Sequence, residues 1–187
     1  MRTPIAPTQQ HTPGPNFRHG DGGAAPIARI ARACVGAWIA VAAVAAIGVA
    51  LLGGLATDTG AWYQALKKPS WQPPPWAFGP AWTLIFTLIA ASGVVAWRAA
   101  PEARTRHWLV TLFAINGLLN VAWSVVFFAV RRPDLAVVEV ALLWASIVVL
   151  VVFTWRFSRS ASLLLLPYLA WVSFAAVLNF TVARLNA

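Results

Sequence analysis

Five long apolar runs divide this chain, at about 33–55, 80–99, 108–130, 135–155 and 162–183. Each is close to the roughly 20 residues that carry a helix across the hydrocarbon core of a bilayer. The gaps between the later runs are short, which forces neighbouring helices to run antiparallel. The pattern therefore predicts an all-α fold, an integral membrane bundle of five transmembrane helices. Residues 1–28 are rich in Pro, Gly, Thr and Gln with little to bury, and predict a disordered tail ahead of a membrane domain over 29–187. The first run has basic flanks at Arg29 and Arg32 but exceeds the usual signal-peptide core of about 7–15 residues, so it is read as a retained helix.

Periodicity inside the runs predicts faces. In the first, Ala42, Ala46, Ala50 and Gly54 form a small-residue ladder suited to close approach of a neighbouring helix, within the bundle or across a dimer. The second is expected to start near Pro80, with Trp82, Phe86, Ile89 and Gly93 on one face. The third places Asn116, Asn120, Trp123 and Phe127 on one face, and two mid-span amides must bond across helices or face a cavity. The fourth follows Pro133, with Asp134 as expected N-cap and Glu139 about one turn inside as a residue with a possible polar or proton role. The fifth holds Pro167, expected to kink or loosen it, Trp171, Ala175 and Leu178 on one face, and the amide Asn179.

The gap between the first two runs is the exception to hydrophilic tethers. Residues 56–79 carry Trp62, Trp71 and Trp76 with Pro69, Pro73, Pro74 and Pro75, and Trp82 follows. Proline fixes φ and removes a donor, so this connection is expected to be stiff and extended. Its aromatic faces predict a lid over something at the membrane surface.

Composition sharpens this picture. Of 187 residues, 60% are hydrophobic and 10% charged, against about 25% charged in a soluble domain. The net charge of +9 comes from basic residues at helix ends, which fits membrane topology rather than nucleic acid. Nine of them (Arg2, Arg18, Arg29, Arg32, Arg98, Arg104, Arg106, Arg156 and Arg159) fall on the side of the tail; five (Lys67, Lys68, Arg131, Arg132 and Arg184) fall on the other. The positive-inside rule then sets the N-terminus in the cytoplasm and the aromatic loop outside, given insertion into a cell membrane.

Conventional chemistry is missing from the sequence. It has no phosphate-binding glycine loop and no His or Cys cluster with metal spacing. His11 and His19 lie in the tail, His107 at a helix start, and the lone Cys34 cannot form an intramolecular disulfide. No catalytic residue, metal or required cofactor is assigned. Aromatic rings, small residues and amides instead suit a flat apolar ligand with a few polar atoms, and a porphyrin would bind by stacking rather than axial ligation.

The residues resemble those of the TspO/MBR family, also called tryptophan-rich sensory protein, translocator protein or peripheral-type benzodiazepine receptor. The resemblance rests on Trp62-Tyr63, Leu66, Lys68-Pro69, Trp71, Pro73-Pro74 and Trp82, then Asn120 through Ser124 with Phe127-Phe128. It continues through Leu135 to Glu139 and ends with Pro167 through Trp171, Phe174-Ala175 and Leu178-Asn179. It implies a five-helix bundle, commonly a homodimer, that binds porphyrins between the helices beneath the first loop, in a bacterial member linked to tetrapyrrole regulation and stress response. Carried over by motif, the ligand-binding residues would be Tyr63, Pro73, Trp82, Phe86, Asn116, Asn120, Trp123, Trp171 and Ala175, beneath a lid including Trp62, Trp71 and Pro74. Asn116 stands where many members have glutamine. Phe180 replaces the tyrosine of the animal sterol motif, which argues against sterol specificity.

These features converge on a membrane receptor, sensor or carrier for a porphyrin-like tetrapyrrole or other flat apolar molecule, with the ring between Trp82 and Trp171. The alternatives are a light- and oxygen-dependent porphyrin-degrading enzyme and a small-molecule transporter, for which Glu139 is the one acid inside a run.

Overall fold

Proline opens two of the long helices, at Pro75 and Pro133. The computed structural model describes the backbone from Ala24 onward and side chains from Ala40 onward; the tail with His11 and His19, and the side chains of Cys34 and Trp38, lie outside the described residues. The chain divides at Val35 and Gly36 into two units. The described part of the first is helical backbone, and the second holds all that follows.

The elements are helical throughout the described residues: α1 (Ala24–Ala56), α2 (Ala61–Ala65), α3 (Pro75–Ala99), α4 (Ala103–Ser124), a π turn (Val125–Ala129), α5 (Pro133–Trp155) and α6 (Arg159–Leu185). Four segments are long and apolar enough to cross a membrane: Pro75–Ala99, Ala103–Ala129, Pro133–Trp155 and Arg159–Leu185. The described apolar part of α1, Ala40–Ala56, is shorter. The class is thus an α-helical membrane bundle, with four qualifying spans among the described residues instead of five. Helix α1 also begins at Ala24, inside the stretch read as tail.

The aromatic connection is not extended throughout. Asp58 Oδ1 accepts from the Gly60 N–H at 2.8 Å, and Gly60 opens the five-residue helix α2. Helix α3 starts at Pro75, five residues before the expected Pro80. Pro74 is held extended by the proline after it, and Pro75 at the first helical position has no N–H to leave unpaired. Pro80 then lies inside the helix, where it forfeits one bond to the Trp76 carbonyl.

At the other turn, Asp134 is not the N-cap of α5. Arg132 occupies that position with Pro133 next, and Asp134 in the first turn accepts from Arg132 Nε at 2.8 Å and Nη2 at 2.6 Å. Helix α6 starts at Arg159, so Pro167 lies inside it, beyond the first turn, and the helix continues through it. Ser158 caps it, accepting from the Ala161 N–H at 3.3 Å.

Helix α5 packs on α4 and α6, and α3 packs on α6. One buried cluster joins Ile85, Val140, Leu143, Ile147, Tyr168 and Val172. A second, around Phe127, Phe128, Ala136 and Val182, is covered by Trp62, Tyr63 and Leu66 of the first connection. Polar side chains fix the helices against one another, as expected where lipid gives no hydrophobic drive between them. Ser92 Oγ donates to the Ala161 carbonyl at 2.7 Å, and Ser162 Oγ to that of Val151 at 2.8 Å.

Candidate functional site

The longest polar connection lies in mid-bundle. Asn120 Nδ2 donates to Tyr168 Oη at 3.2 Å, and Tyr168 Oη donates to Asn116 Oδ1 at 3.3 Å. Asn116 Nδ2 donates to Ser146 Oγ at 2.8 Å, which ends on the Leu143 carbonyl at 2.7 Å. The chain passes from α4 to α6, back to α4 and on to α5. Both readings of the amide pair hold: Asn116 and Asn120 are interhelical glue, and Asn120 also lines a cavity.

That cavity has a volume of about 850 Å³ and is walled by α1, α3, the π turn region and α6, beneath the first connection. Pockets of about 300–1,000 Å³ suit small molecules. Helix α1 supplies small residues, including Ala46, Ala50 and Gly54 of the ladder. Helix α3 supplies Trp82 stacked on Phe86, centroids 5.3 Å apart. Helix α4 and the π turn supply Trp123 stacked on Phe127 at 5.4 Å, with Phe128 edge-on at 4.8 Å from Phe127. Helix α6 supplies Trp171 and Ala175. No charged side chain lines the cavity among the described residues.

Trp82 and Trp171 meet edge to face, with centroids 6.3 Å apart and planes at 80°. A ring sandwiched between them would need parallel planes about 7 Å apart, twice a carbon contact distance. The two indoles therefore make a corner, and the flat faces on offer are the Trp82–Phe86 and Trp123–Phe127 stacks.

The π turn explains why both Phe127 and Phe128 face inward. Its extra residue, closed by the Val130 N–H on the Val125 carbonyl at 2.9 Å, shifts the phase of α4 after Ser124. It ends on Arg131, whose φ of 57° is unusual for a bulky residue. Arg131 then reaches Asp58 at 3.6 Å and lies 5.8 Å from the Trp62 ring, tying the start of the connection down.

The far end of the connection is also tied. The Lys67 N–H donates to Asn186 Oδ1 at 2.9 Å, and Asn186 Nδ2 donates to the Lys67 carbonyl at 2.9 Å. Between these fasteners, Tyr63 lines the cavity, accepts from Gln72 Nε2 at 3.3 Å and carries Lys68 Nζ 4.0 Å above its ring. Burial pushes the Tyr63 phenol above its ordinary range and the Gln72 bond pulls it back only in part, so it stays neutral at physiological pH.

Of the residues singled out from sequence, Tyr63, Trp82, Phe86, Asn120, Trp123, Trp171 and Ala175 line the cavity. Asn116 is buried behind it, and Pro73 is absent from the wall, where Gln72 and Pro75 stand. In the connection, Trp62 packs edge-on against Phe127 at 6.1 Å and Trp71 against Phe174 at 5.9 Å, while Pro74 is the N-cap of α3. Glu139 is outside the wall. Gln64, Gln72, Ser124 and Asn179 of the lining were not singled out as site residues, although Asn179 was legible as a buried amide. It accepts from Trp123 Nε1 at 3.0 Å and donates to the Pro133 carbonyl at 2.9 Å, so it orients an indole of the wall. No group of three or more His, Cys, Asp or Glu side chains suited to a metal ion occurs among the described residues.

The model of the TspO/MBR family matches residues 40–185. Tryptophan-rich protein TspO of Chlorobaculum tepidum is 41% identical over 146 residues, covering 75% of this chain and 92% of that protein. The protein of the same name from Archaeoglobus fulgidus is 39% identical over 149 residues, covering 79% and 94%. Translocator protein of Homo sapiens is 35% identical over 127 residues, covering 67% and 75%.

Proposed function

The chain belongs to the TspO/MBR family and is an integral membrane protein, and from that premise we propose that it is a membrane receptor or sensor for porphyrin-type tetrapyrroles. One observation carries this reading: an uncharged cavity of about 850 Å³ whose walls are two stacked aromatic pairs with amides at their edges. Such walls suit a flat conjugated ring. The macrocycle would lie against the Trp82–Phe86 and Trp123–Phe127 stacks with Trp171 closing the corner. Asn120 would meet its polar atoms, and Lys67 and Lys68 would attract its propionates. The connection between α1 and α3, with Trp62, Trp71 and Pro74, would be the lid. We further propose that α1 completes five spans, with the N-terminus cytoplasmic, the lid outside and the protein a homodimer in the bacterial cell membrane.

The test is a titration of protoporphyrin into purified protein in the dark, followed by tryptophan quenching. Saturable binding that weakens in both Trp82→Phe and Trp171→Phe is expected. Unchanged affinity in both variants would rule out this pocket. Illumination of the complex separates receptor from enzyme: new absorbance bands that require these indoles would make the protein a porphyrin-degrading enzyme.

A further inference from the structure

Glu139 has no role in the cavity wall, yet it is an acid inside a membrane-spanning helix. Both carboxyl oxygens are buried and have no hydrogen-bond partner. The ion pairs among the described residues join Arg131 to Asp58 and Arg132 to Asp134, leaving Glu139 without a cation. An ionised carboxylate in such a place is costly, and a buried polar group without partners calls for an explanation.

Its surroundings connect it to the site. Ala136, Val140 and Leu143 share its side of α5 and are buried. Ala136 belongs to the Phe127–Phe128 cluster, while Val140 and Leu143 belong to the Tyr168 cluster. Trp123 packs against both clusters and lines the cavity. The same indole is bonded to Asn179, which is bonded in turn to Pro133 in the first turn of α5. Helix α5 is packed by α4, the π turn and α6. From α6, the titratable Tyr168 is buried in the same cluster as Val140 and Leu143, with its hydroxyl bonded to Asn116 and Asn120. Arg159 and Arg184 stand at the two ends of α6 and make no ion pair with it among the described residues. The charged or titratable residues of α4 (Arg104, Arg106 and His107) lie in its first turns, at the opposite end from the π turn, and the π turn has none.

We propose that Glu139 is a proton-binding site in the α5 seam, coupled to the Trp123 wall, so that its deprotonation weakens ligand binding in the cavity. Loss of the proton creates a charge with no hydrogen-bond partner among the described residues. The seam must then part to admit water, and the groups that move are those holding Trp123. By linkage, ligand binding takes up a proton, and affinity falls as pH rises through the titration of this carboxyl.

The coupling to ligand rests on the tetrapyrrole reading above; the proton site does not. The test therefore has two arms, both on the full chain in lipid nanodiscs. Infrared spectroscopy of the ligand-free protein is expected to show one protonated carboxylic acid at neutral pH. It should vanish at alkaline pH and be missing in Glu139→Gln. The other described acids, Asp58, Glu102 and Asp134, are exposed, so the wild-type band is diagnostic even if the variant fails to fold. Absence of that band in the wild type would overturn the proton site.

In the second arm, protoporphyrin dimethyl ester, which has no propionate charge, is titrated across pH. Affinity in the wild type should fall by up to about tenfold per pH unit, the limit for one proton, and stay flat in Glu139→Gln. Equal slopes in both proteins would overturn the coupling. An ester that binds neither protein at any pH, with free protoporphyrin also failing to bind, would refute the tetrapyrrole reading and, with it, the coupling, while the infrared band still decides the proton site; if the free acid alone binds, its titration across pH in both proteins decides the coupling.

Discussion

Replacing Asn186 by alanine tests how the aromatic connection is held. Asn186 spans 119 residues of sequence to offer Lys67 both halves of a peptide-like pairing, each bond 2.9 Å long. A third bond, Nδ2 to the Val182 carbonyl at 2.8 Å, fixes the side chain in place. A net protein hydrogen bond is worth about 0.5–1.5 kcal/mol. Lys67 and Asn186 are exposed, so water partly replaces the lost partners and the lower half of that range applies to each bond. Their sum, about 1–2 kcal/mol, is roughly a 5–30-fold shift toward the open connection. Hydrogen exchange read by mass spectrometry is the direct assay. Exchange of the Lys67 amide should accelerate by that factor, while amides in the middle of α5 remain protected. Porphyrin dissociation measured by stopped flow should accelerate in parallel. Asn186→Asp keeps the acceptor for the Lys67 N–H and loses the donor, so its effect should be intermediate. If exchange at Lys67 is unchanged in the alanine variant, the connection is held by Tyr63 on Phe128 and Trp71 on Phe174, and the clip has no part in it.

Other consequences are equally open to measurement. Tyr168→Phe strands Asn116 Oδ1 and Asn120 Nδ2 and should lower the unfolding free energy by about 1–2 kcal/mol, read by denaturant titration, while the edge contact of the ring with Trp82 persists. Gly117→Ala places a methyl 3.1 Å from Val49 Cγ2, so this cavity-lining side chain must shift by a few tenths of an ångström and ligand affinity should fall modestly in a titration. Gly48→Ala, with nothing within 4 Å of the added methyl and outside the cavity wall, is the matched control and should be silent. Asp58→Asn removes an exposed pair with Arg131 and should change lid opening by less than about 1 kcal/mol, an effect that high salt reproduces in the wild type.

The bundle was legible in the apolar runs because a bilayer imposes one length on every span. The cavity was partly legible because a Trp, an amide and a small residue recurred at helical spacing. What escaped has physical causes. Four prolines between Pro73 and Pro80 each satisfy the rules for a helix start, and only the packed structure selects Pro75. Asn116 and Asn120 share a stripe, and periodicity does not distinguish a residue bonded to the next helix from one facing a void. The π turn adds a residue after Ser124, so a 3.6-residue period projects Phe128 to the wrong place. The Asn186 clip has no local signature, since its partner is a backbone unit.

The amide and hydroxyl chain from Asn120 to the Leu143 carbonyl has a consequence for how this sequence encodes its fold. Apolar contacts between helices are degenerate in lipid, because a leucine loses little by exchanging a neighbouring helix for an acyl chain. A slide of either helix by one residue would leave the apolar surface nearly as well solvated, but a slide of α5 would break the link through Ser146 and a slide of α6 both links through Tyr168. The register of α4, α5 and α6 is therefore written in polar side chains, with Asn116, Asn120, Ser146 and Tyr168 joined at its centre and Trp123, Ser162 and Asn179 adding links of their own. The lipid-facing positions are spelled in a redundant alphabet, and these few are the letters that resist exchange.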